Sequence, residues 1–409
     1  MEKRKISFKK IFGGDTWIWV CFLVLSIISA IFVFSSIGSI AGESPVATWI
    51  KKHVLFIVAS WVLAVVISWI DYNNWKKFSI PIFIFCFALL VAVMMMGGRW
   101  LSINDRNLFQ PSEIAKIGLI ILLAAVMAGW KECLQELSFF GILCAIVGVT
   151  AFLIVRENFS TAALVCVVCF TMMLFGGVNF KYWATTVLVV GIGAVIFLGF
   201  SYMKYKAIVD SGIVQTEAQM MESGRQSTWG HRVYTFIHYD PDELNQINMA
   251  RMAIASGKLT GVGVGNTIQA RLMTQSQNDF IYSIIIEEAG LFVGLLVFVV
   301  YAVLCWRCFK MARRCTGDFG SLLISGLGAL IFLQALLHIF YNVGILPVTG
   351  QNLPLVSMGG TSYVAFGGTI GIIQNVCRQI NNDKAEQRKK AEAVNKLKEI
   401  HEIAQEQKS

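Results

Sequence analysis

The stretch NDFIYSIIIEEAGLFVGLLVFVVYAVLCW, residues 278–306, is one that no water-soluble core would hold. From Ile281 to Trp306 it is apolar apart from Glu287 and Glu288, which suffices for one bilayer crossing at about 20 residues per helix. Asp279 stands at its mouth, directly after the only long polar loop in the chain. Reading this stretch as a membrane helix decides the fold, because stretches like it recur throughout.

Ten apolar segments are predicted, at about 16–38, 54–70, 79–97, 113–130, 139–155, 159–176, 183–203, 281–306, 320–344 and 360–377. Of the 409 residues 56% are hydrophobic and only 14% charged, against roughly a quarter charged in soluble domains. Mean hydropathy is +0.65. The ten-residue alternation of a membrane barrel is absent, so the expected fold is an all-α integral membrane bundle of ten transmembrane helices. Residues 1–15 precede it, 16–377 form the membrane domain, and 378–409 are a charged tail. KRKISFKK before the first segment resembles a signal peptide, and SIA at 39–41 its cleavage site. The apolar run exceeds the roughly 7–15 residues of a cleavable core, so a retained anchor is expected.

Basic residues orient the bundle. With the N-terminus inside, Lys3, Arg4, Lys5, Lys9, Lys10, Lys76, Lys77, Arg307, Lys310, Arg313, Arg314 and the tail collect on the cytoplasmic side. The short outer loops hold little beyond Lys51, Lys52, Arg99, Arg106 and Arg156. This bias fits two cytoplasmic termini. The net charge of +9 restates that rule and does not argue for nucleic acid. The ten cysteines fall in apolar segments or cytoplasmic loops, so the outer face needs no disulfides. Cys305 and Cys308 form a CxxC by spacing alone, without the second ligand pair of a metal site.

One connection is long, about 204–278, and the parity of the segments places it outside. It carries Trp229, Tyr234, Phe236 and Tyr239, then the helix-like NQINMARMAIASG, so part of it is expected to pack on the outer face. Its GVGVGN at 261–266 has neither the preceding strand nor the following Lys-Ser/Thr of a nucleotide loop, and reads as a tight turn. The tail has eight basic and six acidic residues; it reads as a frayed helix that meets anionic membrane lipid.

Three constellations can carry chemistry. Glu113 and Lys116, in FQPSEIAK, share a helix face three residues apart. A lone charge in a bilayer costs several kcal/mol, so they form either a structural pair or the wall of a polar cavity. Asp279 is either an N-cap of the helix that follows or a general base at the membrane surface. Glu287 and Glu288, about two turns deeper, imply a polar interior on at least one side. The third is GILPVTGQNLPLVSMGGTSY, 344–363, broken backbone of a kind tolerated at membrane depth only against protein or a cavity. His338, within a span, reads as a polar packing contact.

Together these residues resemble the SEDS family, the shape, elongation, division and sporulation proteins of the bacterial cell wall. The resemblance covers nearly the whole chain. It rests on RWL and FQPSEIAK within 99–116, on Arg232, Phe236, Asp240, Pro241 and Gln246, and on AIASGKLTGVGVGN at 253–266. NDFIYSIIIEEAG at 278–290 and the run from Asn342 to Gly360 complete it. The resemblance implies a ten-span polymerase of lipid II, acting in the bacterial cytoplasmic (inner) membrane with a class B penicillin-binding protein and other division proteins. Asp279 matches the family's essential aspartate and Trp100 its loop tryptophan. Two departures stand out. Glu157-Asn158-Phe159-Ser160-Thr161 lacks the usual proline and acid, leaving Asn158 a hydrogen bond at most; Gln275-Ser276-Gln277-Asn278 lacks the usual acid and histidine. The GGDTWIW entry and the NDFIYSIIIEE form are nearer to the division members than to the elongation members.

The resemblance makes Asp279 the catalytic residue. Trp100, Arg99, Glu113, Lys116, Asn158, Arg232, Gln246, Asn342 and Ser357 are the candidate substrate contacts, the cations for pyrophosphate and Trp100 for lipid or sugar. No metal-ligand cluster is visible; a divalent cation is the one cofactor to consider. The alternatives are an elongation-type polymerase of the same family and a lipid II flippase. The chemistry-bearing motifs crowd the outer side, which favours the enzyme.

Overall fold

A computed structural model of the chain describes residues 12–40, 46–96, 100–103, 106–211, 225–238, 246–273 and 276–406. Arg99, Asp240, Pro241 and Gln275 lie outside them. In hydrocarbon a backbone must satisfy its own polar groups, and the apolar runs do so as helices. In chain order these are α1 (Thr16–Ile40), α2 (Val46–Ser68), the short α3 (Tyr72–Lys77) and α4 (Ser79–Met96). After an antiparallel hairpin, β1 (Leu101–Ile103) with β2 (Arg106–Phe109), come α5 (Pro111–Gly129), α6 (Leu137–Glu157), α7 (Phe159–Phe175) and α8 (Phe180–Asp210). The segment between α8 and α12 holds α9 (Arg225–Ile237), α10 (Gln246–Gly257) and α11 (Gln269–Leu272). Three long helices close the chain: α12 (Ile281–Ala312), α13 (Asp318–Asn342) and α14 (Gly360–Glu406).

Among the described residues eight helices are long and apolar enough to cross a membrane: α1, α2, α4, α5, α6, α8, α12 and α13. The apolar α7 is shorter, 17 residues. The tenth expected span and the tail are one unbroken helix of 47 residues, α14, rather than a span with a frayed extension. Lys, Glu, Gln and Ala are strong helix formers, and Glu386 pairs with Lys390 one turn on at 2.7 Å. Among the described residues the hairpin is the one pair of strands, a departure from the all-α expectation. Other ends differ too: α2 starts at Val46 rather than 54, α8 runs to Asp210 rather than 203, and α12 continues to Ala312. Hydropathy finds only the part of a helix at hydrocarbon depth, whereas the helix itself persists through the charged boundary.

The packing centres on α13, which touches α12, α5 and α7. Its Gly326 permits the contact with α7, since a Cβ there would lie 2.4 Å from Met172 Sδ. Around this hub α1 packs on α12, and α2 on α14. At one end Asp15 caps α1, its Oδ1 accepting from the N–H groups of Trp17 at 3.0 Å and Ile18 at 3.3 Å. The same carboxylate pairs with Arg307 of α12, while Gln374 of α14 exchanges two 2.8 Å bonds with the Asp15 backbone. The helix α8 stands apart: Leu188, Val189, Ile192, Val195 and Ile196 are all exposed, the surface a bilayer would cover. All ten cysteines are free.

Candidate functional site

Asp279 lies in the turn at 276–279, and the N-cap of α12 falls one residue on, at Phe280. The N-cap reading of Asp279 is therefore corrected. Its main-chain carbonyl accepts two hydrogen bonds from the end of α13, from the Tyr341 hydroxyl at 2.7 Å and from Asn342 Nδ2 at 3.2 Å. Both lone pairs of that oxygen are thus used. Asn342 uses both of its amide donors: Nδ2 also donates to the His338 carbonyl at 2.9 Å, while Oδ1 accepts from Ser283 of α12 at 2.7 Å. The peptide of Asp279 is held between α12 and α13.

Opposite the turn lies Gly350, with φ +64. A Cβ built there would be 3.6 Å from Asp279 Oδ2 and 3.9 Å from Arg232 Nη2. Acid and guanidinium therefore converge on a backbone position that carries no side chain. Arg232 comes from α9, where it also lies over the Trp229 ring at 5.3 Å. Trp229 meets Phe159 of α7 edge-on at 5.0 Å, and His231 Nδ1 is 2.9 Å from the Tyr205 hydroxyl of α8. The polar loop so delivers a cation to the acid across a large gap in sequence.

The segment 344–359 is neither a strand nor a free linker; it is stitched to its surroundings. Ser357 Oγ donates to the Asn278 carbonyl at 2.7 Å and accepts from the Leu353 N–H at 2.7 Å. The Met358 N–H donates to the Gln277 carbonyl at 3.0 Å. Along α13, Gln334 Nε2 donates to the Asn352 carbonyl at 3.0 Å, and His338 Nδ1 lies 2.7 Å from the Gln351 carbonyl. The Gln351 side chain reaches Thr161 of α7 at 2.8 Å.

Glu113 and Lys116 form a 2.9 Å ion pair on α5, with Lys116 1% exposed. Lys116 also donates to Gln334 Oε1 at 2.9 Å, and Ser362 of α14 donates to Glu113 Oε2 at 3.3 Å. Through Gln334 and the 351–352 backbone, this pair joins the same polar network as the Asp279 turn.

The remaining candidates take different places. Asn158 caps α7, its Oδ1 accepting from the Ser160 N–H at 3.0 Å. Trp100, 37% exposed, precedes the hairpin, and Gln246 begins α10, half-buried. Glu287 and Glu288 are buried but bind loop and helix rather than line an open interior. Glu287 accepts from the Thr267 hydroxyl and from the N–H groups of Ile268 at 3.0 Å and Gln269 at 3.2 Å, at the start of α11. Glu288 accepts from Ser35 Oγ of α1. The glycine turn at 261–263 docks on the same stretch, Val262 N–H donating to the Glu287 carbonyl and Gly263 N–H to that of Glu288, both at 2.9 Å. There α12 breaks at Gly290 (φ 84, ψ 172), and Leu291 N–H turns to the Lys258 carbonyl at 3.0 Å.

His338 is the buried polar packing contact expected, but sequence reasoning missed Gln334 and Tyr341 beside it. Their spacing of four and three residues puts them on one face of α13, a signal that was legible. Their partners beyond this face, backbone carbonyls and Lys116, were not. Among the described residues no group of three or more His, Cys, Asp or Glu side chains is arranged to hold a cation.

Comparison with known proteins extends these observations. A family model described as cell cycle protein, covering FtsW, RodA and SpoVE, matches residues 15–382. A relative named probable peptidoglycan glycosyltransferase FtsW, from Geobacter sp. (strain M18), is 26% identical over 385 residues, 90% of this chain and 98% of that protein. Among solved structures, a chain of a peptidoglycan synthase complex, described as coordinating polymerization and crosslinking, superposes with TM-score 0.67 at 19% identity. The match covers 90% of this chain and 98% of that one. The rod shape determining protein RodA of Thermus thermophilus superposes with TM-score 0.62 at 16% identity, over 89% and 97%.

Proposed function

We propose, from the premise that this chain belongs to the family of cell cycle proteins that holds FtsW, RodA and SpoVE, that it is a peptidoglycan glycosyltransferase of the division type. It is a multi-pass membrane protein, and we read α7 and the first part of α14 as its ninth and tenth crossings. The basic residues then put both termini in the cytoplasm and Asp279 at the outer leaflet.

The convergence of Asp279 and Arg232 on Gly350 carries this reading. In the reaction, the Asp279 carboxylate takes the proton of the acceptor sugar's 4-hydroxyl as that oxygen attacks the anomeric carbon of the donor chain. The bond from that carbon to the undecaprenyl pyrophosphate breaks, and the configuration inverts. A guanidinium suits the charge that develops on the departing pyrophosphate, which is the role given to Arg232. Glu113, Lys116, Asn342 and Ser357 hold the frame around the acid. The partner implied is a class B transpeptidase that cross-links the strands.

The test is polymerisation of lipid II by the purified protein with its co-purified partner carrying an inactivated transpeptidase. Glycan strands from the native pair and none from Asp279→Asn support the enzyme. Movement of lipid II between leaflets without polymer would support a flippase in its place.

A further inference from the structure

We propose that His338 and Tyr341 form a positioning pair for Asp279, fixing the peptide of the reactive carboxylate and the loop opposite it as one unit. This rests on the reading of Asp279 as the reacting acid.

The argument is a proton count. The Tyr341 hydroxyl lies 2.7 Å from the Asp279 carbonyl, 2.7 Å from the Gln351 carbonyl and 2.8 Å from His338 Nδ1. His338 Nδ1 in turn lies 2.7 Å from the Gln351 carbonyl. Two carbonyl oxygens that can only accept thus face two groups that can each supply one proton. One arrangement satisfies all four: His338 Nδ1–H donates to Gln351, and the Tyr341 hydroxyl donates to Asp279. With the ring proton at Nε2 instead, a buried N–H would have no acceptor and the Nδ1 lone pair would face the Gln351 carbonyl, in a place where Tyr341, His338 and Gln351 are all nearly inaccessible. A neutral ring protonated at Nδ1 has its lone pair at Nε2, and Nε2 has no partner among the described residues. Every hydrogen bond that orients the ring is therefore made at Nδ1.

Gln351 is the neighbour of Gly350, the residue on which the Asp279 carboxylate and Arg232 converge. The two carbonyls bridged by the pair therefore belong to the two sides of the reaction site. One side is the turn before α12, the other the loop after α13, and both are set from the last turns of α13. Loss of the Tyr341 hydroxyl removes the shorter of the two bonds to the Asp279 carbonyl, 2.7 Å against 3.2 Å from Asn342. The peptide is then held less tightly, and the carboxylate is less precisely placed. The helices stay together through their apolar packing, with Phe280, Ile284 and Tyr341 in one buried cluster.

Tyr341→Phe removes the proton and keeps the ring. Displacement of a reacting group by about 1 Å can cost on the order of 10²-fold, so a fall in kcat of roughly 10- to 100-fold is expected with KM for lipid II little changed. His338→Leu should lower kcat similarly, and His338→Asn, which restores a donor near Nδ1, should recover much of the loss. Because both act through one unit, the double variant Tyr341→Phe/His338→Leu should be no slower than the slower single variant. A Tyr341→Phe protein with native kcat, a loss confined to KM, losses that multiply in the double variant, or failure of Tyr341→Phe to fold would each overturn the proposal. Asp279→Asn run alongside separates the two levels. If it is inactive while Tyr341→Phe is native-like, only the positioning role falls; if it polymerises normally, the reading of the site itself falls.

Discussion

Glu113 and Lys116 are bonded to each other at 2.9 Å inside α5, and each has a further partner on another helix, Ser362 on α14 and Gln334 on α13. The pair therefore joins three helices. Removal of one partner strands the other charge away from water, at a cost of roughly 3–5 kcal/mol. Glu113→Leu and Lys116→Met should each lower the thermal midpoint of the detergent-solubilised protein, and the double replacement should restore much of the loss. Additive destabilisation in the double variant would show that the two charges do not depend on each other.

For Asp279 the decisive substitution is Asn. It preserves shape and leaves the main-chain bonds from Tyr341 and Asn342 in place. The expected outcome is a folded, membrane-inserted protein that makes no glycan polymer. Native polymer yield from Asp279→Asn would remove the carboxylate from the chemistry.

Gly261→Ala should loosen the glycine loop at 261–266. Gly261 has φ +81, and a Cβ there would sit 2.2 Å from the Glu288 carbonyl oxygen. The left-handed conformation alone costs about 1–2 kcal/mol for an alanine, before the clash. Faster trypsin cleavage at Lys258, with the rest of the bundle intact, is the expected signature. Unchanged protection would mean that the turn adapts without leaving α12.

The buried Glu287 makes a different prediction. Its carboxylate receives the Thr267 hydroxyl and two backbone N–H groups. Glu287→Leu leaves those donors buried without acceptors, at about 1–3 kcal/mol each where water cannot enter. Glu287→Gln keeps one acceptor oxygen and should cost less. Thermal unfolding of the two variants ranks them; a Leu variant as stable as the Gln variant would show that water replaces the carboxylate.

Topology can be read with a membrane-impermeant thiol reagent added outside. Trp100→Cys and Val264→Cys occupy exposed positions and should react. Ser357→Cys should not, because Ser357 is 2% exposed and lies against the Asn278 carbonyl. A protected Val264→Cys would place the glycine loop on the other face.

Much of the helical frame was legible along the chain. Hydrophobic length marks the part of each helix at hydrocarbon depth, and that property is local in sequence. The boundary residues of α2, α8 and α12 were lost because charge masks helices that outlast the apolar run. The tail was legible as helical, but not as an unbroken extension of α14. Its helix-forming composition and the Glu386–Lys390 pair explain the continuity.

The site was legible in part. Asp279 stood out because an acid at the mouth of an apolar helix is a one-dimensional feature, and Glu113 with Lys116 because they lie one turn apart. The sequence by itself determined the membrane helices, the acid and the broken segment after α13. Only the tertiary structure decided that Arg232 meets Asp279 at Gly350, that Glu287 serves the start of α11, and that Tyr341 holds a carbonyl 62 residues away. The Lys116 bond to Gln334 spans 218 residues. Such partners share no local pattern. They meet because buried polar groups must be satisfied, and helix packing settles which groups are near enough to do it.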